Sequence, residues 1–329
     1  MTSPNAPSSP NNGLAGIGLI LVGMLLISIN DMVIKRLSGG YPLHQLVFLR
    51  SVIGIGLSIA ILQFEGGFRM LRTDRPWLHA LRGLLIVFAN MTFFAALAVM
   101  PLAAVTALFF VAPLMITLLA IPVLGEQVGR HRMGAIVVGF LGVLVMVRPG
   151  TAAEFDVPFW VLTLPILAAA GYAGMQVLTR KLGVNSPPSA LAIYIQLMFI
   201  AVSGLFWLAA GDGRYVEHVS NESLVFLLRA WVWPRAEDWI WLGVIGLAAG
   251  GVGYCLSAAY RLGDAATIAP YEYVALPLAI FWGWLIFGDF PGAATLTGIG
   301  LIGAAGVYVF LRERALRRRV ATGRPQRRT

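Results

Sequence analysis

The sequence predicts an all-α membrane protein of ten transmembrane helices, arranged as two inverted five-helix repeats. Three observations predict this class. Of 329 residues, 58% are hydrophobic and 12% charged, whereas soluble domains carry about 25% charged residues, so a water-soluble core is excluded. Apolar stretches of about 20 residues recur down the chain, each able to cross a hydrocarbon core ~30 Å thick. The chain also repeats itself, at a shift that spans an odd number of these stretches.

Charge and turn clusters leave ten apolar runs, at 14–34, 43–62, 77–99, 102–124, 131–148, 157–179, 188–210, 239–261, 265–287 and 293–311. Lipid forces the helical reading. Backbone groups in hydrocarbon must bond within their own segment, and these runs are too continuous for barrel strands, which alternate every second residue. The leader before the first run, rich in Pro, Ser and Asn, has no Lys or Arg. No small-residue cleavage site follows a short apolar region, so the run is expected to be a mature helix and residues 1–13 a disordered tail. The third and fourth runs meet at Met100-Pro101, and the fourth and fifth around Gly125-Glu126, which makes both pairs tight hairpins. Trp77, Trp160, Trp239 and Trp241 fall at run starts, as aromatic belt residues should.

One connection, residues 211–238, is long. Its apolar stretch Leu224 to Leu228, followed by Trp231 and Trp233, is expected to lie on the outer membrane surface; the sharper alternative is a lid that receives substrate. In the tenth run, Gly298, Gly300, Gly303 and Gly306 recur at spacings that let backbones approach. Gly134, Gly139 and Gly142 do the same in the fifth.

Charge placement sets the orientation. With the N-terminus in the cytoplasm, inner loops and tail hold Arg69, Arg72, Arg75, Arg82, Arg130, Arg132, Arg180, Lys181, Arg261 and eight arginines from Arg312 to Arg328, seventeen of the twenty-four Lys and Arg. That inside excess predicts both termini in the cytoplasm. The net charge of +9 therefore reads as topology and contact with anionic lipid rather than as nucleic-acid binding.

The stretch Ala96 to Gln127 aligns with Ala259 to Phe290 at a shift of 163, so that Ala103 meets Ala266, Val105 meets Ile268, Gly125 meets Gly288 and Glu126 meets Asp289. Pro113 and Pro277 agree within one position. At a shift of 164, Gly139 and Gly142 meet Gly303 and Gly306, and at a shift of 145, Lys35, Leu37 and Pro42 meet Arg180, Leu182 and Pro187. Two five-helix units follow, residues 14–150 and 151–311, with a basic tail at 312–329. Five is odd, so the second unit crosses the membrane in the opposite sense. Inverted repeats of this kind place a binding site at the midplane and alternate access by rocking one half against the other.

Ten spans, Gly125-Glu126 closing the fourth with its echo Gly288-Asp289 closing the ninth, and Ala-Pro-Tyr-Glu-Tyr at 269–273 resemble the EamA group of the drug/metabolite transporter superfamily. The resemblance covers about residues 14 to 312. It implies a multi-pass protein of the inner (cytoplasmic) membrane that carries a small organic metabolite such as an amino acid, amine or vitamin, with no cofactor and no ATP hydrolysis in the same chain. It also implies that the last helix of each half lies away from the cavity and can mediate homodimer contacts. No Gly-x-x-x-x-Gly-Lys-Ser/Thr loop is present, and Lys35 and Lys181 are the only lysines.

Other chemistry is poorly served. One cysteine, Cys255, and four scattered histidines supply neither a metal cluster nor nucleophile chemistry, which argues against an enzyme, and a channel would need a continuous polar stripe. Ionisable groups inside a span cost ~2.5 to 3.5 kcal/mol at the centre, so they face a cavity and a partner. Three qualify. Asp31 and Arg50 sit at similar depth from their shared outer loop, as either a structural pair or a site for a zwitterionic or anionic solute. Their repeat counterparts, Gln176 and Ile195, are uncharged. Glu272 is flanked by Tyr271 and Tyr273, preceded by Pro270, and matched in the first half by Phe109; it is the candidate for proton exchange or for attracting a substrate amine, unless a neighbouring tyrosine holds it structurally. Asn30, Asn90, Thr106, Gln176, Gln196, Tyr254, Trp282 and Trp284 are the mid-span candidates to line the same cavity and suit a planar or aromatic solute, although each alone is ordinarily a packing contact.

Overall fold

The computed structural model describes residues 10–73, 75–125, 128–148, 150, 155–182, 188–262 and 268–321. Among them the chain is helical, with no strand. The α-helices are α1 (Pro10–Leu37), α2 (Leu43–Glu65), α3 (Pro76–Leu97), α4 (Leu102–Phe109), α5 (Ala112–Leu124), α6 (Arg130–Met146), α7 (Phe159–Leu182), α8 (Pro188–Ala210), α9 (Glu222–Leu228), α10 (Trp239–Leu262), α11 (Ala275–Phe287) and α12 (Ala293–Ala321). A 3-10 turn, Ala269–Val274, leads into α11.

Among the described residues, eight stretches are long and apolar enough to cross a membrane: Leu14–Leu37, Leu43–Glu65, Pro76–Leu97, Leu102–Leu124, Phe159–Thr179, Ser189–Ala210, Ala236–Leu256 and Ala293–Arg312. Two expected spans fall short of that length. The fifth is the 17 residues of α6, which opens on Arg130-His131-Arg132, and the ninth is the apolar stretch Tyr271–Phe287. The first helix already begins at Pro10, inside the stretch expected to be a tail, and the last runs to Ala321, ten residues past the expected end of the tenth run at 311. Glu126, the loop 183–187 and the tail beyond Ala321 lie outside the described residues.

The fourth span is interrupted where its sequence requires it. Pro113 has no N–H to offer, so the helical ladder stops, α4 ends at Phe109, and α5 restarts with Pro113 in its first turn. The ninth begins as a 3-10 turn with proline at its start before becoming α11. Each of these two spans ends on a left-handed glycine, Gly125 at φ 71, ψ 20 and Gly288 at φ 69, ψ 9, a conformation that a Cβ would strain.

The helices of the first half pack mainly on those of the second. α1 lies along α10, α3 along α7, α2 along α8 and α6 along α12, while α2 also meets α10, α3 meets α8, and α5 meets α7. In lipid, close fit rather than the hydrophobic effect holds such pairs. A Cβ on Gly142 of α6 would come within 3.1 Å of the Gly298 carbonyl oxygen of α12, so the two backbones are in contact there.

The expected outer end is tightly built. Leu37, Leu43, Leu46, Leu97, Met100, Leu102 and Val105 are all buried in one apolar cluster. Lys35 closes over it: its Nζ donates to the carbonyls of Leu97 (3.0 Å) and Met100 (2.7 Å) and lies 5.3 Å from the centre of the Phe287 ring. The connection 211–238 is strapped to the α1–α2 corner. Gln45 exchanges two hydrogen bonds with the Val232 backbone, Tyr41 donates to Asp238 (2.5 Å), and Arg229 donates to the carbonyls of Ser38 and Gly39. Trp231 packs on His44, Phe48 and Trp207, while Trp233 stays 86% exposed. Burial and the bond to Asp238 push the Tyr41 phenol above its ordinary range.

Candidate functional site

A cavity of about 370 Å³ lies inside the bundle. Its described lining comes from α1, α2, α3, α4, α5, α7, α8, α10, the 3-10 turn and α11, and none of it from α6 or α12. The three in-span ionisable residues named from the sequence, Asp31, Arg50 and Glu272, all line it, as do Asn30, Asn90, Thr106 and Gln196.

Arg50 is the organising group on one wall. It is 5% exposed, and a guanidinium so buried persists only when its donors are answered. Its Nη2 donates to Asn90 Oδ1 at 2.5 Å and its Nη1 to Asn30 Oδ1 at 3.3 Å, while the rings of Phe94 and Phe199 lie 5.3 and 5.2 Å from its central carbon. Asn30 passes the connection on, donating from Nδ2 to Asp31 Oδ1 at 3.0 Å. Equal depth does bring Asp31 and Arg50 together, but Asn30 bridges them. Among the described residues, Arg50 Nε has no hydrogen-bond partner, nor do Thr106 Oγ1 and Gln196 Oε1, all in residues that line the cavity. Gln196 is oriented by its other end, Nε2 to Ser58 Oγ at 3.0 Å.

Glu272 enters from the 3-10 turn. Phe109, its counterpart in the repeat, also lines the cavity, with Phe93, Phe110, Phe199 and Tyr172 adding aromatic surface. Ring contacts chain Phe93 to Phe109 (edge-on, 5.3 Å between centroids) and Phe109 to Tyr172 (tilted, 5.6 Å). The cavity therefore offers polar and charged groups within a wall that is mostly aromatic and aliphatic, a form suited to small organic ligands.

Six other named residues do not line it, among them Trp284, which is exposed. Gln176 stands one step back and donates to the Tyr172 hydroxyl at 2.9 Å; Trp282 likewise donates to the Ser28 hydroxyl at 3.2 Å, and both Tyr172 and Ser28 face the cavity. Tyr254 and Tyr271 are exposed, and Tyr273 is buried on the far side of its turn. Tyr172, Ser28 and Ser51 are lining residues that the sequence reading missed, although a polar group at mid-span is the signal by which the others were found. Among the described residues, no three His, Cys, Asp or Glu side chains gather in a way that would hold a metal ion.

Residues 14–148 match the EamA-like transporter family. The S-adenosylmethionine uptake transporter of Rickettsia prowazekii is 28% identical over 303 residues, 92% of this chain and 94% of that protein. The riboflavin transporter of Brucella anthropi is 29% identical over 270 residues, covering 82% and 88%, and the pseudopaline exporter CntI of Pseudomonas aeruginosa is 27% identical over 288 residues, covering 88% and 93%. A crystal structure 21% identical in sequence superposes with a TM-score of 0.59, over 93% of this chain and 97% of that one, which shows a shared fold. With the cavity, the family match over residues 14–148 and these near-full-length relatives together, the chain is similar to the EamA-type transporters of the drug/metabolite transporter superfamily.

Proposed function

We propose that this protein is a secondary carrier of a small organic metabolite, working by alternating access between two inverted five-helix halves in the cytoplasmic membrane, with both termini on the cytoplasmic side. The observation that carries the reading is the cavity, built from both halves and holding all three in-span ionisable groups. Helix neighbours support the inverted repeat. Counted in chain order, the spans are α1, α2, α3, α4 with α5, α6, α7, α8, α10, the 3-10 turn with α11, and α12. Adding or subtracting five turns the first–eighth contact into the third–sixth, the second–eighth into the third–seventh, and the fourth–sixth into the first–ninth; the second–seventh and fifth–tenth map onto themselves. A two-fold relation between halves produces such a pattern.

Arg50, with Asp31 held beside it, is positioned to engage a charged group of the solute, and the aromatic chain from Phe93 to Tyr172 suits a planar part. S-adenosylmethionine and riboflavin, named for two of the relatives, both contain a planar heterocycle and are the first solutes to try. Glu272 is the residue we assign to proton exchange or to a substrate amine. In this scheme Lys35 is an outer contact that must break when the cavity opens outward.

Purified protein should be screened by thermal shift against these two solutes, then amines, amino acids and nucleosides, and hits followed by counterflow in proteoliposomes. A solute at 100 times its Kd should add ~2.7 kcal/mol of stability. Arg50→Gln should abolish that gain. Stabilisation that survives Arg50→Gln unchanged, or hits that never exchange across the vesicle membrane, would overturn the assignment.

A further inference from the structure

The 3-10 turn at the head of the ninth span turns two adjacent side chains to different surroundings. Glu272 lines the cavity, while Tyr273, the next residue, is 8% exposed and contributes nothing to the lining. At about 120° per residue, a 3-10 turn separates neighbours in this way. The Tyr273 ring fills a notch in α12, where the absence of a side chain at Gly306 makes room for it: any Cβ on Gly306 would collide with the tyrosine ring. Phe310 of α12 lies 6.3 Å away, centroid to centroid, and Phe110 5.1 Å away. Phe110 is the residue that the shift of 163 pairs with Tyr273, and it stands where the fourth span is broken. The interruptions of the fourth and ninth spans thus meet through these two aromatic rings.

We infer that Tyr273 is a positioning residue: seated between Gly306 and Phe110, its ring fixes the turn that presents Glu272 to the cavity and ties the break in the ninth span to the break in the fourth. The ring does this rather than the hydroxyl, which is buried with no hydrogen-bond partner among the described residues. The inference rests on the reading of Glu272 as the functional carboxylate of the cavity. Groups that share its surroundings are Asp31 of α1, Arg50 of α2 and Tyr172 of α7, with Tyr271 and Tyr273 beside it in the chain.

The test needs no substrate. Full-length protein in lipid vesicles is treated with dicyclohexylcarbodiimide across a pH series, and labelling of Glu272 is quantified by mass spectrometry. Tyr273→Leu and Gly306→Ala should each move the midpoint of labelling by about 0.5 pH unit or more. Tyr273→Phe should leave it in place, as should Gly303→Ala, whose added Cβ would meet only Leu276 at 3.8 Å. If Gly306→Ala does not fold, the Tyr273→Leu and Tyr273→Phe pair decides. A wild-type midpoint in Tyr273→Leu, or a shift as large in Tyr273→Phe, overturns the inference. Normal transport by Glu272→Gln would instead sink the reading of Glu272 while leaving the labelling result intact.

Discussion

Arg50 sets the terms for the side chains around it. A guanidinium held at 5% exposure needs acceptors already in place, and Asn90 and Asn30 supply them on either side. Asn90→Ala removes the 2.5 Å acceptor and is expected to lower stability by ~1.5 to 3 kcal/mol, the range for hydrogen bonds to charged groups, read as a fall in the thermal unfolding midpoint; an unchanged midpoint would show that Asn90 is dispensable. Glu272→Gln keeps the shape of the side chain but cannot ionise, so transport by this variant should lose its dependence on pH, and normal transport across the whole pH series would remove the proton or amine role. Depth could be read from the sequence at this scale, since counting residues from a shared loop put Asp31 level with Arg50. Rotation about a helix axis could not. Each residue turns the face by about 100° in an α-helix and about 120° in a 3-10 turn, so Tyr273 points away from the cavity next to Glu272, and Gln176 stands behind Tyr172, with no sequence feature to say so.

Among the elements, proline and glycine placement was legible, because Pro113, Gly125 and Gly288 act through their own backbones. Which helices adjoin was not, since apolar faces in lipid carry little address. The α6–α12 contact depends on missing side chains: Gly142→Val should part the two backbones at a cost of ~1 to 3 kcal/mol, while Gly134→Val, with nothing within 4 Å of its Cβ, should be nearly neutral in the same unfolding assay. The end expected to face outward depends on single polar contacts. Tyr41 has its phenol raised above 10.0 by burial and by the bond it donates to Asp238, with Arg235 opposing. A raised folded value stabilises fully below the unfolded value and is lost as pH climbs through the folded one. Wild-type protein should therefore lose stability above about pH 10 more steeply than Tyr41→Phe, and parallel pH profiles would contradict the account of this strap.

The whole molecule is an interleaved bundle. Its halves embrace across α1 with α10 and α3 with α7, so neither half keeps its packing without the other, and the cavity exists only where they meet. The internal repeat led to the expectation of two units, but the pairing of helices from the two stretches and the withdrawal of α6 and α12 from the cavity came from the packing of surfaces that look alike as sequence. The central claim, one cavity reached in turn from the two sides, is tested most directly by side-specific labelling. With Cys255 replaced by serine, a single cysteine at Ala249, which lines the cavity, is exposed to a membrane-impermeant thiol reagent from either face of oriented vesicles. This one position should react from both faces, bound solute should protect it, and reversing the solute gradient should shift the preferred face. Reaction from one face alone under every gradient, or no protection by any solute that stabilises the protein, would contradict it.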